Sequence, residues 1–558
     1  MKDTSHRSNP DPWNDSLDGE YLWSNVNFGE AVTEVMTPLS WTVLKLIFDQ
    51  WVLHPGHGTA GNIGGRPYLN ISLFVSVLQA LGRSRQDVLE LLEGTLYMHL
   101  PDGIEIPLLP MPKRSLPSIL WAVVRTRLRE RGGAKGLPAY LATNAVRCSQ
   151  LRCRIREAAD KKELLALWQG RICPHVTGSV WHVMGSASSS AAHTMGLRRA
   201  LEDLVGPDDA QVLISTLSKG SGSSNGSGAS DSSGLLASLG PVVGIARLAR
   251  GEMDRDDYLE RFGHRGPHEF ELSYPRPAED PDWLDRELAR FRENPVDVDG
   301  QLEGQRADFG AAWARFQTRY PDQADTMRKR IDKAAGWARR REAVRSEYVR
   351  DRWLVRTFAL RAGELTGLGD DVFFLTLDEL LDLLSGDATA VASIPAQRET
   401  YERYRALPSY PSIIVGRFDP FQWAANPNRQ PDLFDARAPG RKQEPQPGSA
   451  NLISGSPGSS GRVEGLVRRL DHPENGDQFQ AGEVLVAKQT DIAWTLLFPR
   501  AAAVVTDVGA PLSHAAIVAR ELGIPAVVGC GDATMRLKTG DRVRVDGGRG
   551  TIEILREE

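Results

Sequence analysis

The sequence predicts a multidomain α + α/β chain, with a large, mostly helical part over 21–434 and a compact α/β unit over 452–558. Three observations carry this. Apolar residues recur at helical spacing before residue 434, and short β-rich runs replace them after residue 451. A stretch rich in Pro, Gly and charge, "DARAPGRKQEPQPGSAN" at 435–451, separates the two and reads as a flexible linker.

Taken in order, residues 1–20 are polar and predict an N-terminal tail with no apolar core for a signal peptide. "ISLFVSVLQALGRSRQDVLELLEGTL" and "KKELLALWQG" carry helical periodicity. "SKGSGSSNGSGASDSSG", 218–234, is a Ser/Gly-rich flexible loop by composition. Residues 321–362 form a long Arg-rich helix with Trp337, Val344, Tyr348 and Trp353 at its apolar positions. "DDVFFLTLDELLDLLSGD" opens on acids and stops at Ser-Gly-Asp, which suits a turn and helix. After the linker come the strand-like runs "GRVEGLVRRL", "EVLVAKQT", "AAAVVTDVG", "IPAVVG" and "DRVRVDGGRGTIEIL", with one helix among them, "SHAAIVAREL".

Composition narrows the function. The net charge of -5 over 558 residues leaves no basic footprint for nucleic acid. No run of about 18 apolar residues occurs, so no membrane span is expected. Four cysteines fit a reducing, cytoplasmic setting. Cys148, Cys153, Cys173 and His175 have the spacing C-x4-C…C-x-H, which is not a usual zinc pattern, and the expectation is no metal.

The densest signal is "TDVGAPLSHAAIVARELGIPAVVG", 506–529. Gly509 and Pro511 turn the chain, Ser513 can cap a helix, and Gly523 can end it. His514 then falls in the first helical turn, where free N–H groups and the helix dipole disfavour an imidazolium and favour an attached anion. That setting suits a histidine that carries a phosphoryl group; a capping or surface histidine is the plainer reading of the same residues.

This stretch closely resembles the phosphohistidine swivelling domain of phosphoenolpyruvate-utilising enzymes, whose motif runs T-x-x-G-G-x-x-[SC]-H-A-[AG]-I-V-A-R-E-x-G-I-P-A-V. Thr506, Gly509, Ser513, His514, Arg520 and Gly523 stand at the matching positions, and Ala510 replaces the second glycine. "SGSPGSSGRVEG" and "EVLVAKQTDIAWTLLFPRA" also look like this domain. The resemblance implies a β/β/α swivelling fold for 452–558 and phosphorylation of His514, with Thr506, Gly509, Ser513 and Arg520 around it.

Upstream, "YLWSNVNFGEAVTEVMTPLSW", "GRPYLNIS", "LERFGHRGPHEFELSYPRPAEDP" and "DDVFFLTLDEL" resemble the substrate domain of rifampicin phosphotransferases. In "RREAVRSEYVR", Arg341 and Arg345 are four apart and share a helix face. They resemble a basic pair that faces the phosphohistidine, with arginine where lysine is usual in second place. An Arg-rich solvated face is the bland alternative. "GHRGPHE" places His264, Arg265, His268 and Glu269 in one loop, with His264 as a candidate general base and an Arg265–Glu269 brace as the structural alternative. Trp23, Trp41 and Tyr68 are pocket or core residues.

The resemblance therefore implies a phosphotransferase component acting on a hydroxyl of a small organic molecule. Residues 1–20 are too few for an ATP-grasp domain and no G-x4-G-K-[ST] loop occurs. The expectation is that no cofactor binds this chain. ATP and Mg2+ would be held by a stand-alone ATP-grasp partner of the pyruvate phosphate dikinase nucleotide-binding type. A carrier that passes phosphate to a protein, and a non-catalytic remnant, remain open alternatives.

Overall fold

Three long helices, Leu116–Glu157, Cys173–Val205 and Pro321–Thr366, pack against one another and form the body of the N-terminal part. Small residues let two of them approach closely: a Cβ at Gly133 would overlap the Trp181 carbonyl, and one at Gly185 the Glu130 carbonyl. The computed structural model describes residues 12–555 except 27–28, 30, 33, 52–53, 55–56, 97–99, 101–102, 216–234, 428, 431, 439–450 and 512. The Ser/Gly-rich loop 218–234 and most of the linker 435–451 lie outside the described residues.

The Arg-rich stretch is one helix, Pro321–Thr366, stopped at Gly367 in the left-handed conformation. Val344, Tyr348 and Trp353 are buried on it as the spacing predicts. So are Arg350, Asp351, Arg352 and Arg356, whose charge needs partners at that depth. Arg356 Nε donates to Glu279 Oε2 at 2.8 Å, and Arg352 Nη2 to the Tyr348 hydroxyl at 2.8 Å. "DDVFFLTLDELLDLLSGD" becomes a 3-10 turn and the helix Leu377–Ser385, opened by a Thr376/Glu379 capping box and closed at Gly386.

A five-stranded sheet ties the beginning of this part to its end. Its order is β2-β3-β1-β4-β5, with β1 Leu22–Ser24, β2 Ala60–Ile63, β3 Arg66–Asn70, β4 Ile413–Val415 and β5 Leu433–Asp435. The tail expected over 1–20 is corrected at its inner end. Trp13 and Asn14 are buried, with Trp13 Nε1 donating to Gln397 and Asn14 Nδ2 to the Phe418 carbonyl, each at 2.8 Å. Trp23, Trp41 and Tyr68 are core, Tyr68 giving its hydroxyl to the Pro411 carbonyl at 2.7 Å.

The C-terminal unit is α/β. Its eight strands are β6 Leu452–Ser454, β7 Ser456–Ser459, β8 Arg462–Arg469, β9 Val484–Ala487, β10 Ala503–Thr506, β11 Ala526–Val528, β12 Arg542–Asp546 and β13 Thr551–Ile554. They are ordered β6-β13-β12-β8-β9-β10-β11-β7. Strands β8, β9, β10 and β11 pair in parallel, and the outer pairings are antiparallel. Strands β9, β10 and β11 are buried throughout, as their continuous apolar runs require, while β8 keeps most of its residues partly or fully exposed. Val484 and Val486 pack into one core cluster, while Leu485 and Ala487 pack into another under the helix His514–Leu522. That second cluster also takes in Leu239, Val242, Val298 and Leu302 of the helical part, so the helix-bearing face is docked on it.

Candidate functional site

Strand β10 ends at Thr506 and the chain turns into the helix His514–Leu522. Gly509 makes that turn at φ +147, where a Cβ would lie 3.1 Å from Val528 Cβ, 3.2 Å from Ser513 Oγ and 3.3 Å from Thr506 Oγ1. Replacing Gly509 by alanine is expected to cost about 1–3 kcal/mol from backbone strain and crowding. A lowered thermal midpoint relative to the unaltered chain checks this. Ser513 caps the helix, its Oγ accepting from Ala516 N at 3.3 Å, and Gly523 closes it at φ +72. Half-buried Arg520 reaches back, with Nη2 donating to the Gly458 carbonyl at 2.5 Å and the Pro511 carbonyl at 2.8 Å. It braces the loop that precedes His514. The Thr506 hydroxyl is buried without a hydrogen-bond partner among the described residues.

His514 is 5% exposed. Its ring sits between two hydroxyls, Thr490 Oγ1 at 3.2 Å from Nδ1 and Thr495 Oγ1 at 3.1 Å from Nε2, with Phe498 edge-on at 5.9 Å. Burial, then the nearby Arg345 and Arg265 with Glu342 opposing them, pushes the imidazole down to about 3. The ring is therefore neutral at physiological pH and one nitrogen holds a lone pair.

Across the domain contact lies the middle of Pro321–Thr366. Arg341 bonds Glu342, Nη2 to Oε1 at 3.0 Å. Burial raises the Glu342 carboxyl, and Arg341 and Arg345 more than offset this, so it is held below its ordinary value. Arg345 makes no hydrogen bond or salt bridge among the described residues, and its charge falls on His514, Glu342 and Asp491. Arg265 donates to Glu269 at 2.5 Å in a buried pair, so the brace foreseen in that loop exists. Its charge also reaches His514.

The fold thus gathers His514, Arg345, Arg341 and Arg265 at one contact. His264 is buried, Nε2 bonded to Ser346 Oγ at 2.9 Å, and burial followed by Arg350 and Arg265 drives it well below its ordinary value. His268 takes a positive φ of 58, lies 3.2 Å from Glu34 and 4.2 Å from the Tyr274 ring, and lines a cavity of about 300 Å³. That cavity lies between the two parts, walled by Arg265, Tyr274, Trp283 and Phe291 on one side and Glu474, Ile492 and Leu497 on the other. A much smaller crevice of about 30 Å³ touches Arg341, Glu342 and Arg520.

Four residues of this site escape sequence reading: Thr490, Thr495, Glu342 and Asp491. Asp491 caps the 3-10 turn Ile492–Leu496, its Oδ1 accepting from Ala493 N at 2.9 Å. Burial and the charges of Glu269 and Glu474 push its carboxyl up to about 7, against the pull of Arg345. The dipeptide Thr490-Asp491 reads as an ordinary cap, and nothing in the chain's order ties it to a histidine 24 residues on. Of the four cysteines, Cys153 is exposed, while Cys148 is buried close to His175.

Residues 479–550 match the family model described as PEP-utilising enzyme, mobile domain. The prodigiosin synthesizing transferase of Serratia marcescens is 33% identical over 322 residues, 55% of this chain and 34% of that protein. A rifampicin phosphotransferase of Streptomyces sviceus is 29% identical over 332 residues, 56% of this chain and 36% of that protein. A probable phosphoenolpyruvate synthase of Staphylothermus marinus is 48% identical over 103 residues, 18% of this chain and 12% of that protein. The chain spans about a third of the length of the first two relatives. Among the described residues, no helix is long and apolar enough to cross a membrane.

Proposed function

We propose that this chain, whose C-terminal unit is a mobile domain of the phosphoenolpyruvate-utilising kind, carries a phosphoryl group on His514 and transfers it to a hydroxyl of a small organic molecule. One observation carries the reading: a neutral, buried histidine at a helix start faces an arginine, Arg345, that has no ion pair among the described residues. The two roles complement each other. The imidazole lone pair attacks a phosphorus of the ATP donor, a phosphoanhydride P–O bond breaks with its electron pair leaving on the departing phosphate oxygen, and the guanidinium holds the phosphoryl oxygens as charge spreads over them.

The second half of the reaction runs in the cleft between the two parts. The acceptor oxygen attacks phosphorus, the N–P bond breaks, and the lone pair returns to the His514 ring. The acceptor's proton goes to a base. Asp491 suits that role better than His264, because it sits at the domain contact beside Arg345 and next to cavity-lining Ile492 and Ala493. A cavity of about 300 Å³ with aromatic and arginine walls favours a small molecule over a protein acceptor.

The base form of Asp491 is the deprotonated one, so turnover rises with pH through about 7 and levels off above it. Asp491→Asn is expected to lower kcat by roughly 10²-fold or more and to erase that limb. Rate against pH for both proteins checks it; an Asn variant with the same limb contradicts the assignment.

The donor we propose is ATP, bound with Mg2+ on a stand-alone ATP-grasp protein that phosphorylates His514 in trans. The experiment is incubation with ATP labelled in its β and γ phosphates, with and without such a partner. Label is expected on the chain only when the partner is present. Equal labelling of the chain alone, lost in His514→Asn, would overturn the trans donor while keeping the carrier role.

A further inference from the structure

Away from His514, the three long helices bring Cys148, His175 and Asp351 to one buried point, one residue from each helix. Cys148 Sγ lies 3.2 Å from Asp351 Oδ1 and 3.7 Å from His175 Nε2, and that nitrogen lies 2.9 Å from the same oxygen. Tetrahedral zinc, with bonds of about 2.3 Å to sulfur and about 2.0 Å to nitrogen or oxygen, sets its ligand atoms roughly 3.3–3.6 Å apart. The three edges fall within about 0.5 Å of that figure. Asn144 lies beside the cluster, its Oδ1 3.6 Å from the same sulfur and its Nδ2 donating to Asp351 Oδ1 at 3.1 Å.

Charge and surroundings agree with the geometry. A thiolate and a carboxylate cancel a dication, so the filled site is neutral and can be buried where an unbalanced charge could not. Asp351 is 0% exposed. The Tyr140 hydroxyl donates to its other oxygen at 2.8 Å, the kind of outer hydrogen bond that orients a ligating carboxylate. Mixed sulfur, nitrogen and oxygen donors suit zinc and exclude a preference for magnesium or calcium.

We propose that Cys148, His175 and Asp351 bind one Zn2+ ion, with Asn144 or a water as fourth ligand, and that the ion pins the three long helices together. On binding, the Cys148 S–H proton is released to solvent and the sulfur becomes the ligand. Asp351 lies on the helix that presents Arg341 and Arg345, so the ion would also fix how that helix is seated. Spacing within 148–175 alone argued against zinc; the third ligand comes from a helix some two hundred residues on, where no spacing rule reaches.

The full chain, expressed with zinc in the medium and purified without chelator, is expected to hold one zinc per chain by elemental analysis. Expression with Co2+ instead is expected to give the intense visible bands of a tetrahedral site and a near-ultraviolet thiolate-to-cobalt band. Cys148→Ser, which keeps size and hydrogen bonding, is expected to lose the thiolate band and at least tenfold in affinity; Cys153→Ser is expected to keep both. The spectrum of the unaltered chain stands even if a variant fails to fold. Substoichiometric zinc in the unaltered chain, or a cobalt spectrum indifferent to Cys148→Ser, would leave a hydrogen-bonded cluster only and overturn the site.

Discussion

His514→Asn is expected to abolish phosphoryl transfer, by roughly 10⁴-fold or more, while leaving the fold intact. Asparagine can still meet Thr490 or Thr495, the two hydroxyls that hold the ring. It offers no nucleophilic lone pair, and an amide nitrogen cannot carry a phosphoryl group reversibly. The helix keeps its start, because Ser513 supplies the cap. Melting temperature and label transfer measured side by side check this: an unchanged melt with no transfer is expected, and residual transfer at the normal rate contradicts the role.

Arg345→Ala is expected to lower kcat by about 10²–10³-fold with little change in KM, the pattern of a contact made mainly in the transition state. The effect on stability is expected to be small, since Arg345 makes no hydrogen bond or salt bridge among the described residues. The substitution also removes the largest charge that holds the His514 pKa down. Imidazole titration, followed by NMR, is then expected to move upward. Arg345→Lys is expected to recover part of the rate, because it restores charge without the planar fork. A kcat within threefold of normal in Arg345→Ala would make the arginine a bystander.

Local chemistry was legible and long-range placement was not. Ser513 and Gly523 bound the His514 helix at both ends, and both are local devices that sequence displays. The unbroken apolar runs of β9, β10 and β11 became strands buried on two faces, while "DRVRVD" alternates and buries only Val543 and Val545. The five-stranded sheet of the helical part left no such mark. Its strands are three to five residues long and β1 to β4 are buried throughout, so no alternation shows. The resemblance to phosphoenolpyruvate-utilising enzymes pointed to Arg341 and Arg345, and the fold sets Arg345 against His514. Asp491 and Glu342 became part of the site only through packing, which raises one carboxyl and lowers the other. No linear pattern encodes that difference.

The most direct measurement is a two-step chase on one protein. The chain is first charged with labelled phosphate, the label is mapped by mass spectrometry under alkaline conditions that preserve phosphohistidine, and hydroxylated small molecules are then added. The account predicts label on His514 alone, leaving the protein one-for-one with phosphorylated acceptor. Label on any other residue, or acceptor phosphorylated while His514 remains unlabelled, would contradict it.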